Sequence, residues 1–249
     1  MMHGAAARAA IISQLALVAI GCAPVQNSVP DTTGSGAAPG ATGVSAEQRA
    51  AGWRPLFDGT NTSAWRGYKS QSFPAGWRIV DGALTKSGAV EDILTKDQFG
   101  NFQLALDWKL SKAGNAGIFY RGTEEYDKVY WSAPEYQLLD DSGHPDGGSR
   151  LTSSGADYGL YPAPAGVVKP ADQWNSTLIV VNGNTVQHWL NGQKLLEYEV
   201  GSPDWEAKVK ASKFVAYPNY GRAKRGHIAI QGDHEGALSL RNIRIREIK

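Results

Sequence analysis

Chemistry is concentrated in a few short segments of this 249-residue chain, and the first is Pro134-Glu135-Tyr136-Gln137-Leu138-Leu139-Asp140-Asp141. On a strand, Glu135, Gln137, Leu139 and Asp141 share one face, while Tyr136, Leu138 and Asp140 share the other. A carboxylate flanked by apolar neighbours loses water, and desolvation lifts its pKa toward that of a useful general base. The same-face neighbours of Glu135 are Gln137 and Leu139, so this strand offers no second carboxylate beside it. Retaining glycoside hydrolysis needs two carboxyls about 5–5.5 Å apart, so that mechanism survives only if the partner comes from another strand.

Arg121, in Gly117-Ile-Phe-Tyr-Arg-Gly122, lies opposite Ile118 and Tyr120 on a strand. There it could bind a sugar hydroxyl or stabilise an enolate oxygen. Gln231-Gly-Asp-His-Glu-Gly236 is a polar turn between two apolar strands. His234 could serve as acid or base near neutrality, and the Asp/His/Glu content could also ligate a divalent metal. The oxygen-rich run Asp140–Gly148 could hold calcium but lacks the EF-hand spacing. His188 reads as a packing residue.

The elements that must position these groups are short strands. Phe102, Leu104, Leu106 and Trp108 alternate on one face, and Asp81-Gly82, Asn182-Gly183 and Asn191-Gly192 are hairpin turns. The final strand alternates Leu238, Leu240, Ile243, Ile245 and Ile248, with a phase slip near Asn242 that predicts a bulge. Ser202-Pro203-Asp204 starts the one clear helix, with Trp205 and Val209 toward the core. About a dozen strands without βαβ spacing predict an all-β fold: a two-sheet antiparallel jelly-roll sandwich, concanavalin-like, with one short helix.

Lys and Arg number 25 against 24 Asp and Glu, which excludes a broad electrostatic grip on nucleic acid. Eight Trp and ten Tyr favour flat polar ligands such as sugars. Residues 1–21 read as a lipoprotein signal peptide: a basic start ending in Arg8, an apolar run, then Ala19-Ile20-Gly21 before the lone Cys22. Cys22 is then the lipidation site, and the chain is expected in the bacterial cell envelope, periplasm or outer membrane, with its membrane contact through the lipid. Residues 22–51 read as a flexible tether, with a helical turn capped by Ser45, and 52–249 as the folded catalytic domain.

Several phrases together resemble the 3-keto-disaccharide hydrolase family. They are Gly52-Trp-Arg-Pro-Leu-Phe-Asp-Gly-Thr-Asn61, Gly114-Asn-Ala-Gly-Ile-Phe-Tyr-Arg121, Glu135-Tyr-Gln-Leu-Leu-Asp140, His188-Trp-Leu-Asn-Gly192 and Gly226-His-Ile-Ala-Ile-Gln-Gly-Asp-His234. The resemblance implies a concanavalin-like jelly roll and a carbohydrate substrate oxidised to a ketone at sugar carbon 3. Such a ketone acidifies the C2 proton, so one base, one oxyanion stabiliser and one acid suffice for elimination, and water then adds to the enone. Glu135, His234 and Arg121 fit those roles, with base and acid interchangeable between Glu135 and His234. Gln231, Tyr158, Gln137 and Asp140 are the expected sugar contacts. One extra residue separates His234 from the glycine expected directly after it. The alternative is a non-catalytic carbohydrate-binding module at the cell surface.

Overall fold

The computed structural model describes Met1 and residues 43–249. The expected signal peptide, Cys22 and the tether up to residue 42 lie outside the described residues. Within them, thirteen strands form two antiparallel sheets. The larger runs β11 (Gln193–Glu199), β10 (Thr185–Leu190), β9 (Asn175–Asn182), β6 (Phe102–Leu110), β13 (Leu238–Glu247), β4 (Ala83–Lys86) and β3 (Arg78–Val80), with β1 (Arg54–Phe57) also paired to β13. The smaller runs β2 (Trp65–Gly67), β5 (Ile93–Thr95), β12 (His227–Ile230), β7 (Asn115–Gly122) and β8 (Glu135–Leu139). This is the expected mostly-β jelly-roll architecture.

The period-2 pattern decides which face is core. Phe102, Leu104, Leu106 and Trp108 of β6 pack with Ile118 and Tyr120 of β7 and with Tyr136 and Leu138 of β8. The alternate residues of the smaller sheet, Asn115, Gly117, Glu135 and Gln137, therefore point away from that core. The phase slip at Asn242 is a bulge: φ is +54° and the β13–β6 register shifts between Arg241 and Arg244. Asp81-Gly82 and Asn191-Gly192 take positive φ at both turn positions, as type I′ hairpins require. The third turn is centred one residue later than expected, on Gly183-Asn184, because Asn182 pairs with Thr185.

Helix α2 (Pro203–Lys210) starts as the sequence predicts, with the Ser202 hydroxyl accepting from Trp205 N and with Trp205 and Val209 buried. Helix α1 (Ala46–Ala50) carries a full capping box from Ser45 and Gln48. Val44 packs with Trp53, Ala105 and Leu178, so ordered packing begins ahead of Gly52. No helix among the described residues is long and apolar enough to cross a membrane.

Buried polar ties join the sheets behind the outward face. Tyr120 on β7 hydrogen-bonds His188 Nε2 on β10 at 2.9 Å and the Tyr198 hydroxyl on β11. His188 Nδ1 reaches Gly155 O at 2.9 Å, and burial holds this imidazole neutral, down to about 3. The Tyr136 hydroxyl accepts from Thr177 Oγ1 and donates to Trp189 O. Replacing Tyr120 by Phe strands two buried polar groups. Urea unfolding should show a loss of about 1–3 kcal/mol with an unchanged slope; a loss under about 0.5 kcal/mol would show that the tie carries no weight.

Candidate active site

The smaller sheet's outward face forms the floor of a pocket of about 270 Å³. Glu135 and Gln137 rise from β8, with Gly117 of β7 directly opposite Gln137. Gln231 follows β12 and is fixed beside them by its N–H donating to Gly117 O at 2.9 Å. The free edge of β8 is covered by the segment after it: Gly155 N donates to Gln137 O, Gln137 N to Ala156 O, and Tyr158 N to Glu135 O. That cover brings Tyr158 to the rim. Tyr130, Trp131, Asp146, Lys213, Asp233 and His234 complete the lining.

Glu135 makes no hydrogen bond or ion pair with another described side chain, and it is almost wholly buried. Burial pushes its carboxyl up to about 8, against the opposing pull of Lys213. Glycine at 117 makes this placement physically available. A Cβ there would stand 2.2 Å from Glu135 Oε1 and 2.8 Å from its Cδ, so the carboxyl lies where any side chain would have been.

His234 sits on the turn after β12, where burial lowers its pKa below the usual imidazole value and Asp233 opposes the shift. The turn is clamped from behind: the buried Lys86 ammonium donates to His234 O at 2.6 Å and to Gly236 O at 3.1 Å. Gly236 at φ +88° lets the chain carry the extra residue while His234 still lines the pocket. Two amide oxygens in the floor, Gln137 Oε1 and Gln231 Oε1, are buried with no donor. Buried acceptors left unmatched cost about 1–3 kcal/mol each.

Five of the seven expected residues thus meet in one pocket: Glu135, His234, Gln231, Tyr158 and Gln137. Arg121 and Asp140 do not. Arg121 sits at φ +56° in a bulge where the β7–β12 register shifts, and this turns its guanidinium to Gly100 O, Asn101 Oδ1 and Gly183 O. It ties the sheets' loops together, and it is absent from the pocket lining. The Asp140 carboxylate accepts from Ala113 N and from Ser142 N and Oγ, so it stabilises its own loop.

Lys213 is the cation that the sequence reading missed. It lies on a 3₁₀ turn, Lys213–Ala216, with Nζ 4.5 Å from the Tyr158 ring centroid and 5.6 Å from that of Trp131. Two further carboxylates also reach the pocket from outside β8: Asp146, and Asp233, which is paired with Lys128 at 2.9 Å. The metal reading finds no donor set, since no three His, Cys, Asp or Glu among the described residues group closely enough to hold an ion.

A family model described as a 3-keto-alpha-glucoside-1,2-lyase-like domain matches residues 52–246. A 3-keto-disaccharide hydrolase of Bacteroides thetaiotaomicron is 34% identical over 227 residues, covering 78% of each chain. Among solved structures, a glycosyl hydrolase by provisional assignment from Parabacteroides distasonis superposes with a TM-score of 0.78. It is 31% identical, and the match covers 83% of this chain and 98% of that one. A second such protein from that organism gives 0.61 at 27% identity, covering 79% and 99%.

Gly117→Ala isolates the placement of Glu135. The obstructing atoms are the far end of a flexible side chain, so the fold should stay within about 1 kcal/mol of wild type by denaturant titration. Turnover should fall at least about tenfold as the carboxyl is displaced. Full activity in this variant would show that the close approach is incidental.

Proposed function

The chain belongs to the 3-keto-alpha-glucoside-1,2-lyase-like family, and from that premise we propose that it cleaves 3-keto-glycosides by elimination. The ketone at C3 makes the C2 proton acidic. A base removes that proton, the electron pair passes into the enolate, and the C1–O bond breaks to leave a C1=C2 enone. The departing oxygen takes a proton from an acid. Addition of water at C1 then completes a net hydrolysis.

The observation that carries this reading is the opposed tuning of two groups in one pocket. Burial holds Glu135 protonated at neutral pH, at about 8, and holds His234 neutral below its usual value. Pairs of groups pushed apart in this way are assigned as acid and base by their resting states. His234 therefore takes the C2 proton, and Glu135 protonates the leaving oxygen. Lys213, the ammonium among the lining residues, stabilises the enolate oxygen in place of the expected Arg121. The amide oxygens of Gln137 and Gln231 accept from sugar hydroxyls, and Tyr158 and Trp131 offer rings to the pyranose face.

The expected setting is the cell envelope, with the domain held through a lipid on Cys22. The supporting features are the basic start, the short apolar run and the single cysteine behind it. Labelling with a radioactive fatty acid should follow Cys22 and vanish in Cys22→Ser.

The acid form of Glu135 is lost as pH rises through about 8, and the neutral form of His234 is lost as pH falls through its depressed value. kcat/KM should therefore be bell-shaped. Exchanged roles would give the same bell, so leaving-group chemistry decides between them. Glu135→Gln should lose about 10²–10⁴-fold on a 3-keto-disaccharide but far less on a 3-keto nitrophenyl glycoside, whose phenolate departs without a proton. His234→Ala should lose both, together with C2–H exchange in deuterated water. Equal loss on both substrates in Glu135→Gln would reverse the assignment. Binding of the keto sugar without any turnover would favour the carbohydrate-binding module.

A further inference from the structure

Asp157 is a wholly buried carboxyl that the reaction above leaves unused. It lies on the segment that covers the edge of β8, directly before Tyr158. No donor reaches either of its oxygens with hydrogen-bond geometry, while the Tyr198 hydroxyl and the Glu135 N–H stand beside it. Tyr120, Tyr161 and Tyr220 also feel its charge, as does the Glu135 carboxyl. Burial pushes all four phenols up from their ordinary value, so none of them ionises ahead of Asp157.

Counting hydrogens along the buried chain fixes the state of Asp157. Gly155 O can only accept, so His188 Nδ1, 2.9 Å away, carries the single hydrogen of the neutral imidazole. His188 Nε2 must then accept, and the Tyr120 hydroxyl donates to it at 2.9 Å. Tyr120 has no second hydrogen, so the hydrogen in its bond to Tyr198 belongs to Tyr198. Tyr198 is left with only acceptor capacity toward Asp157. A hydrogen between those two has to come from the carboxyl, which makes Asp157 a neutral acid. Burial acts in the same direction and lifts it to about 8, against the pull of Tyr198 and the Glu135 N–H.

Both ends of this chain, Asp157 and Gly155, belong to the same short segment. That segment is held along β8 by Gly155 N donating to Gln137 O and Tyr158 N to Glu135 O. We propose that Asp157 is a positioning residue for Glu135: its proton sets the direction of the whole chain and so locks the cover that keeps Glu135 dry. Loss of that proton to solvent reverses every bond. Tyr198 then donates to Asp157, Tyr120 to Tyr198, and His188 Nε2 to Tyr120. A bare His188 Nδ1 is left against Gly155 O, and two lone pairs facing each other push the cover off the strand. The inference rests on the reading of Glu135 as the acid for the leaving oxygen.

Asparagine donates where the neutral acid donates. Asp157→Asn should therefore keep kcat on a 3-keto-disaccharide within about threefold of wild type, whereas Asp157→Ala should lose about tenfold. The alanine loss should be absent on a 3-keto nitrophenyl glycoside, which does not need the Glu135 proton; general loosening of the fold would lower both. Infrared spectra read the Asp157 proton directly. In a Glu135→Gln background, which removes the Glu135 band, the carbonyl band of a buried carboxylic acid should persist at neutral pH and vanish on adding Asp157→Asn. Stability carries a sign: the folded value lies above the unfolded one, so wild type loses stability as pH rises toward about 8 and Asp157→Asn does not. The gap between their urea midpoints should widen from about pH 5 to about pH 8. Asparagine as damaging as alanine, or no band belonging to Asp157, would overturn the proposal. If wild type cleaved neither substrate, the reading of Glu135 would fail, and the band and the urea midpoints would still decide the state of Asp157.

Discussion

A carboxylic acid kept dry without a paired counter-charge is the constraint around which this molecule is built. Glu135 lies on the edge strand of a five-stranded sheet, yet solvent does not reach it from that edge. The segment from Ser154 to Tyr158 is hydrogen-bonded along β8 and closes it. The carboxyl rests over Gly117, where a missing side chain leaves room. The cation that tempers it, Lys213, lines the same pocket and forms no ion pair with it. Moved to water or paired with an arginine, this glutamate would be an ordinary base.

Holding such a group still requires a rigid floor. The core face of the same two strands supplies it through Tyr120 and Tyr136, whose hydroxyls reach into the larger sheet. One strand thus presents a satisfied polar network on its inner face and an unsatisfied one on its outer face. Three of the pocket's lining residues, Gln137, Gln231 and Asp233, each hold a buried acceptor oxygen without a partner. The turn that carries His234 into the pocket is held just as firmly, since Lys86 grips the backbone on both sides of Glu235.

Much of this was legible in the chain. Alternation marked the core faces of β6 and β8, the slip at Asn242 marked its bulge, and Ser202-Pro203 marked the helix start, because each is a local rule. Glu135 and Gln137 line the pocket because a period of two puts them on one strand face, whereas His234 was marked by its polar turn and Gln231 and Tyr158 by the family resemblance. Arg121 failed for the same reason: the period assumes a regular strand, and a bulge at a non-glycine residue turned the guanidinium elsewhere. Asp140 stays out of the pocket lining because its carboxylate serves Ser142 two residues on and the backbone N–H of Ala113, which a face assignment does not reveal. Lys213 gave no signal, since a lysine on a short 3₁₀ turn between Ser212 and Phe214 looks like any surface lysine. Only the return of the chain over Tyr158 makes it a pocket residue.

Asp146 and Asp233 reach the pocket from elements other than β8, so a direct glycosidase has carboxylates to draw on. What separates it from elimination is dependence on the ketone. Residues 43–249, incubated with a 3-keto-disaccharide and in parallel with the unoxidised parent sugar, give the most direct answer. Release of the leaving sugar from the keto form alone is the predicted result. Release from the parent at a comparable rate would contradict C2 proton abstraction and make Glu135 half of a conventional carboxylate pair.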